Sequence, residues 1–419
     1  MRFLGTAFIA IAFFSTVFLL GGHDSKIGTF LNTSMSASAF FTQSVNATNL
    51  RATFDTASST KKKLNVLIVP GHEPYFGGAE YRDIKERDMN ADLALSLAQY
   101  LVEDGHFEVA MTRGKEGWNP DLQNYFTTHA EEIKTFVSSQ KGEMARLVGE
   151  GKIIRVNDAV PHNEAPSDVA LRLYGINKWA NDRKMDIVIH IHLNDSSPRK
   201  ANQPGEYNGF AIYVPERQYS NSQATSEIAP HVFKRLSRMF PVSSLPVEDQ
   251  GVVEEQDLIA IGSYNSVDGA SMLIEYGYIY EPQFKIPSVR DLVIKELAFQ
   301  TYLGLADFFG ETSLVVGPHE STLLPYEGRS VVQKTVSANR EVLAFQAALI
   351  DKGFYPPQYF TKNDCPLSGV FGPCTRTALS AFQREFDIIG EHGIVGIKTR
   401  AKLRALFQPN LLGVLSPRQ

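Results

Sequence analysis

Apolar positions along this chain follow two rhythms. Short, nearly unbroken runs occur at Leu64-Asn65-Val66-Leu67-Ile68-Val69, Phe107 to Met111, Ile187 to His192, Phe210 to Val214 and Met272 to Tyr276. Runs of this length, bounded by turn formers such as Pro70-Gly71, predict buried strands. Between them the spacing changes to the helical period. Asp88 to Val102 places Met89, Leu93, Leu97, Tyr100 and Leu101 along one stripe. Ser226 to Met239 and Ser288 to Phe309 predict two further helices, the last with a Ser288-x-x-Asp291 start that resembles a capping box. Strands alternating with helices predict an α/β fold: a mostly parallel sheet flanked by helices.

The same pattern divides the chain. Residues 1–21 hold a short basic start and an apolar run from Phe3 to Leu20. That is the form of an export signal or of a membrane anchor, with residues 3–20 as a possible tether. Residues 22–62 are rich in Ser, Thr, Ala and Asn without periodicity and predict a flexible tether. The α/β pattern fills 63–311. It is interrupted at about 114–168 by a polar interval with helical character near Tyr125 to Val137 and Met144 to Val148. This interval is too long for a plain connection. It reads as a helical insertion, either a gate for a site or a surface elaboration. Residues 312–335 are an irregular linker. Residues 336–408 form a small α-rich three-helix module, and 409–419 a tail. The module carries an internal repeat: Gly369 to Arg376 and Gly393 to Arg400 are both Gly-punctuated turns entering a short helix.

Charge and cysteine usage narrow the picture. A net charge of -5 lacks a global basic signature, which argues against nucleic acid as a partner. The two cysteines, Cys365 and Cys374, lie close together. In an exported protein they are a candidate disulfide.

Four residues at strand ends or a helix start carry candidate chemistry: His72 inside Pro70-Gly71-His72, Glu86 opening the first long helix, His192 ending the third strand, and Glu275 near the end of Met272-Leu273-Ile274. Strand ends are where an open α/β sheet gathers a site. Two imidazoles and a carboxylate are a ligand set for a catalytic zinc, and a second carboxylate supplies the acid/base that hydrolysis needs. A carboxylate in so apolar a strand as that of Glu275 must be paired, protonated or functional. His190 and His192 share one face by alternation. His192 is nearer the sheet edge and is the better ligand; His190 is a packed neighbour, a support for the site or an alternative ligand. H-E-x-x-H, G-x-S-x-G and P-loop motifs are absent.

Together these motifs resemble the zinc-dependent N-acetylmuramoyl-L-alanine amidases of the amidase-3 type, over Leu64 to Gly310. The resemblance rests on Pro70-Gly71-His72, Glu86-Arg87-Asp88-Met89-Asn90, Met111-Thr112-Arg113, Ile191-His192-Leu193-Asn194 and Glu275-Tyr276-Gly277-Tyr278. It implies that His72, Glu86 and His192 bind Zn2+ and that Glu275 is catalytic. It also implies a reaction, hydrolysis of the amide between N-acetylmuramic acid and L-alanine in peptidoglycan. Three positions depart from the family pattern: Glu73-Pro74 replaces Gly-Gly, His190 stands in place of a serine, and Tyr280-Glu281 lies near where Ser-Asn is common. Residues from about Val336 to Phe407 resemble a peptidoglycan-binding module, through Phe345-Gln346-x-x-Leu349, Gly353-Phe354, Phe382-Gln383 and the repeated turn. The resemblance implies an exported protein of the bacterial cell envelope or exterior, with peptidoglycan as its partner. Two rival readings are a zinc hydrolase cutting within the stem peptide and a catalytically inactive wall-binding scaffold.

Overall fold

The apolar runs pair side by side into one sheet. The structure, a computed structural model, describes residues 45–156, 165–196, 198–310, 321–330, 332 and 337–408. The chain begins with α1 (Ala47–Thr60), β1 (Leu64–Pro70), a small ribbon of β2 (Glu80–Tyr81) and β3 (Ile84–Lys85), α2 (Glu86–Asp104) and β4 (Phe107–Met111). It continues through α3 (Pro120–Thr128), α4 (Ala130–Gly149), α5 (Ser167–Asp182), β5 (Ile187–Asn194), β6 (Ala211–Pro215) and α6 (Ser222–Met239). It ends with β7 (Val252–Glu255), β8 (Ala270–Tyr278), α7 (Pro287–Phe308), α8 (Arg340–Asp351), α9 (Pro373–Glu385) and α10 (Ile397–Ala405).

Among the described residues the main sheet has six strands in the order β4-β1-β5-β8-β6-β7. Every neighbouring pair is parallel except β6 with β8. The mostly parallel α/β sheet read from the sequence is therefore the fold. β7 carries only four residues, Val-Val-Glu-Glu, two of them acidic, and had no apolar run to announce it.

Each face of the sheet has its own apolar layer. One holds Val66, Ile68, Ile189, Ile191, Met272 and Ile274 with stripes from α2, α6 and α7. The other holds Leu67, Val69 and Val188 with residues of α3, α4 and α5. The interval at 114–168 thus supplies Leu122, Tyr125 and Ile133 to one layer. Asn119 caps α3 by accepting N–H groups of Asp121 and Leu122, with Pro120 in the first turn.

Two expectations are corrected. Residues 47–60, read as part of a tether, form α1, with Ala47, Leu50 and Phe54 buried in the main core. Phe54 stacks on Phe309 with centroids 4.3 Å apart. Three apolar residues among many Ser and Thr make a stripe too thin to stand out, yet enough to bury. The capping box at Ser288 is also not formed. α7 starts one residue earlier, at Pro287, with Ile286 at the cap and no side-chain hydrogen bond there. Proline at the first helical position sets the start instead. The apolar run from Phe3 to Leu20 and the tail at 409–419 lie outside the described residues.

The C-terminal helices α8, α9 and α10 enclose a second core around Phe345, Leu349, Phe371, Leu379 and Phe382. Cys365 and Cys374 are disulfide-bonded at its edge. The repeat has a structural basis: Gln346 reaches Thr375 Oγ1 at 2.8 Å and Gln383 reaches Thr399 Oγ1 at 3.0 Å, each glutamine bridging to the next helix start. α8 has two buried faces. Val342, Phe345 and Leu349 join the module's core, while Leu343 and Ala347 join the core around the sheet. Deleting a buried leucine side chain costs about 2–5 kcal/mol. Leu343→Ala should therefore lower the denaturation midpoint of module and sheet together. Two separated transitions in the wild type, with only one moved by the substitution, would refute a shared core.

Candidate active site

The carboxyl end of β1 turns sharply. His72 sits at φ +67, in the left-handed region, which costs a non-glycine residue about 1–2 kcal/mol. A buried guanidinium holds this turn in place. Arg113, 1 % exposed, donates from Nε to the carbonyls of Pro70 and His72 at 3.1 and 2.8 Å. Its other nitrogens donate to the carbonyls of Gly71, Arg87 and Gly114. Burial lowers the Arg113 pKa to about 10, so it remains a cation at neutral pH.

Glu86 opens α2 directly beneath this turn and is 3 % exposed. Its Oε2 accepts the Ala79 N–H at 2.7 Å, and its Oε1 accepts from Leu193 N–H and Asn90 Nδ2, both at 3.2 Å. The same Oε1 lies 2.8 Å from His72 Nε2 and 3.2 Å from His192 Nδ1. Burial opposes ionisation of Glu86, but the hydrogen bonds and charges of His192 and His72 outweigh it, and its pKa falls well below the usual carboxylate range.

One ligand atom each from His72, Glu86 and His192 thus lies within 4.8 Å of the other two. Two imidazole nitrogens and a carboxylate oxygen form a donor set suited to a divalent transition metal. Two glycines make room for it. A Cβ on Gly71 would meet the His192 ring at 2.2 Å, and one on Gly78 would meet the His72 ring at 2.9 Å. The donors and their space therefore fit a zinc ion.

Glu275 lies on β8 in register with His192 on β5, so both side chains leave the same face of the sheet. Its Oε2 is buried without a hydrogen-bond partner. Burial, then the charges of Glu86 and Glu248, push its pKa well above the usual carboxylate value. Glu248, wholly buried, accepts from the hydroxyls of Tyr213 and Tyr278 and from Asn194 Nδ2. His190 is one alternation deeper on β5, with Nε2 unpartnered and its pKa brought to about 3 by burial and the His192 charge. The cluster contains His192 and not His190.

Two of the departures from the family pattern, Glu73 and Tyr280-Glu281, have partners in the fold. Glu73, directly after His72, pairs with Arg172 of α5 at 2.6 Å. The Tyr280 hydroxyl donates to the Tyr207 carbonyl at 2.8 Å, and Glu281 accepts the N–H groups of Gly209 and Tyr278. In the sequence, Arg113 and Asn90 stand out only as parts of motifs. Asn90 is one helical turn after Glu86, a spacing from which its support could have been read. The Glu73–Arg172 pair spans 99 positions and left no local signal.

An α/β sheet whose strand ends bring together a His/Glu/His donor set and an unpaired carboxylate defines a hydrolase-like site. Residues 66–139 and 151–285 match the model of the N-acetylmuramoyl-L-alanine amidase family, and residues 339–403 match a putative peptidoglycan binding domain. The chain belongs to the N-acetylmuramoyl-L-alanine amidase family. Hydrolysis of the amide between N-acetylmuramic acid and L-alanine in peptidoglycan is favoured over a stem-peptide cut or an inactive scaffold. Among solved structures, the chain is similar to Ami1 from Mycobacterium smegmatis, at 16% identity over 59% of this chain and 97% of that one, TM-score 0.39. It is also similar to the amidase from Clostridium difficile 630, at 16% identity over 60% and 99%, TM-score 0.36. A third is AmiC2 of Nostoc punctiforme, at 15% identity over 59% and 97%, TM-score 0.35. No curated protein matches the sequence.

Gly71 offers a direct check on the cluster. Gly71→Ala must displace the His192 ring, because the new methyl would overlap it. If the cluster holds zinc through His192, this displacement should weaken zinc binding by about tenfold or more, read by competition with a chelator. Unchanged affinity would mean that His192 is not a ligand.

Proposed function

We propose that this enzyme is a zinc-dependent amidase in which His72, Glu86 and His192 hold the ion and Glu275 is the general acid and base. The observation that carries this reading is the convergence of three donor atoms beside a buried carboxylate oxygen with no partner. Zinc bound there would supply Lewis acidity, polarising the scissile carbonyl and making the attacking water easier to deprotonate. Glu275 accepts the proton of the attacking water and returns it to the departing amine of L-alanine. The cut leaves a free lactyl carboxylate on the glycan and a free amino group on the peptide.

The remaining residues orient these groups. Ala79 and Leu193 N–H groups and Asn90 fix the Glu86 carboxylate, leaving the two imidazoles to complete the set. Arg113 pins the carbonyls of the His72 turn, so the strained backbone does not relax and carry the imidazole away. His190 stays neutral and packs in the wall below His192, supporting rather than replacing it.

Peptidoglycan as substrate and binding partner implies action in the cell envelope or outside the cell. We assign residues 1–21 to export, as signal or anchor. No helix of the described residues is long and apolar enough to cross a membrane. The module at 336–408 is assigned to holding the enzyme on the polymer.

Two measurements test the assignment. Wild-type enzyme on purified peptidoglycan should release peptides with N-terminal L-alanine, lose this activity to a chelator and regain it with zinc. Glu275→Gln should bind zinc as the wild type does yet turn over about a thousandfold or more slower. Turnover equal to wild type would remove Glu275 from the mechanism.

A further inference from the structure

The donor cluster opens into a cavity of about 810 Å³ that runs from His72 and His192 to the helices of the 114–168 interval. Its charged lining residues, apart from the histidines, are Glu73, Lys141, Arg172 and Asp257. Three of these four charges are satisfied within the protein. Glu73 pairs with Arg172 at 2.6 Å, and Arg172 also pairs with Asp168 at 2.9 Å. Asp257 pairs with Arg155 at 2.5 Å. Lys141, on α4, makes no ion pair with a carboxylate among the described residues. Its ammonium instead lies over two tyrosine rings, 5.5 Å from the centroid of Tyr264 and 6.0 Å from that of Tyr174.

Both rings are fixed. The Tyr174 hydroxyl is 2.9 Å from Ser263 Oγ, and the two rings stack with centroids 6.5 Å apart. Tyr264 is held at φ +56 and its neighbour Asn265 at φ +56 as well. Two successive non-glycine residues in the left-handed region are costly and persist only where the surroundings enforce them. The lysine is thus steered over a preformed aromatic surface at the wall of the cleft, with its charge available. Residues 140–150 also fall in the gap between the two stretches that match the family model. Lys141 therefore belongs to this chain's own elaboration of the site.

We propose that Lys141 is a specificity-determining residue that pairs with a carboxylate on the peptide portion of the substrate. This rests on the amidase reading above. In that reading the lactyl carboxyl of the glycan is tied up in the scissile amide. A free carboxylate lying farther along the cleft then comes from the peptide. A carboxylate entering beside Lys141 meets a cation that has no carboxylate partner among the described residues, whereas a carboxamide gains no ion pair there.

The test uses the full-length zinc-loaded enzyme and a series of soluble muropeptides. The series is identical except that each free peptide carboxyl is converted in turn to its carboxamide. Lys141 is exposed on a helix surface, so Lys141→Met should fold as the wild type does, checked by its melting temperature. On the fully acidic substrate, Lys141→Met should raise KM about tenfold and leave kcat within about twofold. Lys141→Arg should restore most of the loss. Amidation of the one carboxyl that Lys141 contacts should raise the wild-type KM by the same factor, and wild type and Lys141→Met should converge on that substrate. Equal losses on every member of the series, or no loss on any, would overturn the role of Lys141 while leaving the amidase reading intact. Failure of the wild type to cut any member at the lactyl amide would overturn both.

Discussion

A carboxylate buried at the end of the sheet governs the arrangement around it. Glu86 is 3 % exposed, and a charge so placed is tolerated only when hydrogen-bonded and paired. Its partners come from four parts of the chain: the loop at Ala79, Asn90 one turn along α2, the backbone of Leu193 on β5, and two imidazoles. None of the four can move without stranding part of that charge. The site is therefore assembled by the requirement that Glu86 be satisfied, and the imidazoles that satisfy it form with it the donor set.

The sheet supplies the other half of the geometry. His192 and Glu275 face one another because β5 and β8 are paired in parallel register, Ile187 with Ala270 through His192 with Glu275. A slip of one residue would send one of the two side chains to the opposite face. Fully buried layers on both faces make such a slip prohibitive, so packing far from the site protects its alignment. Arg113 does for β1 what register does for β5 and β8. The strain at His72 survives because several of the surrounding carbonyls bind the same guanidinium.

This hierarchy explains what the sequence disclosed. β1, β5 and β8 are dense apolar runs, and His72, His192 and Glu275 stand at or near their ends, so strands and candidates were legible together. Glu86 was legible as the first residue of a strongly striped helix. The preference for His192 over His190 followed from its place at the strand end, and the cluster contains His192. What escaped had no periodic signal. α1 places three apolar residues in the main core from a Ser/Thr-rich stretch, and β7 is a four-residue edge with two glutamates. Glu248 reaches the neighbourhood of Glu275 from a short 3₁₀ turn and is held by two tyrosines and an asparagine that are distant in sequence. Lys141 is an unremarkable lysine on a polar helix until the fold sets it in the wall of the same cavity as His72 and His192.

The C-terminal module shows the same economy on a larger scale. A module joined only by a loose linker would raise the local concentration of polymer over a range of distances and orientations. Here α8 shares Leu343 and Ala347 with the sheet's core, and Lys362 donates to the Ser237 carbonyl at 2.7 Å across the junction. The junction therefore carries its own apolar contact as well as polar ones. Polymer held by the module would therefore meet the cleft at a set distance and angle. Strands presented in that geometry gain the whole benefit of the second contact, and strands presented otherwise gain little of it. Anchoring of this kind would select how the substrate approaches, and would couple recognition by the module to cutting at the sheet through buried leucine and alanine rather than through any residue that touches the substrate.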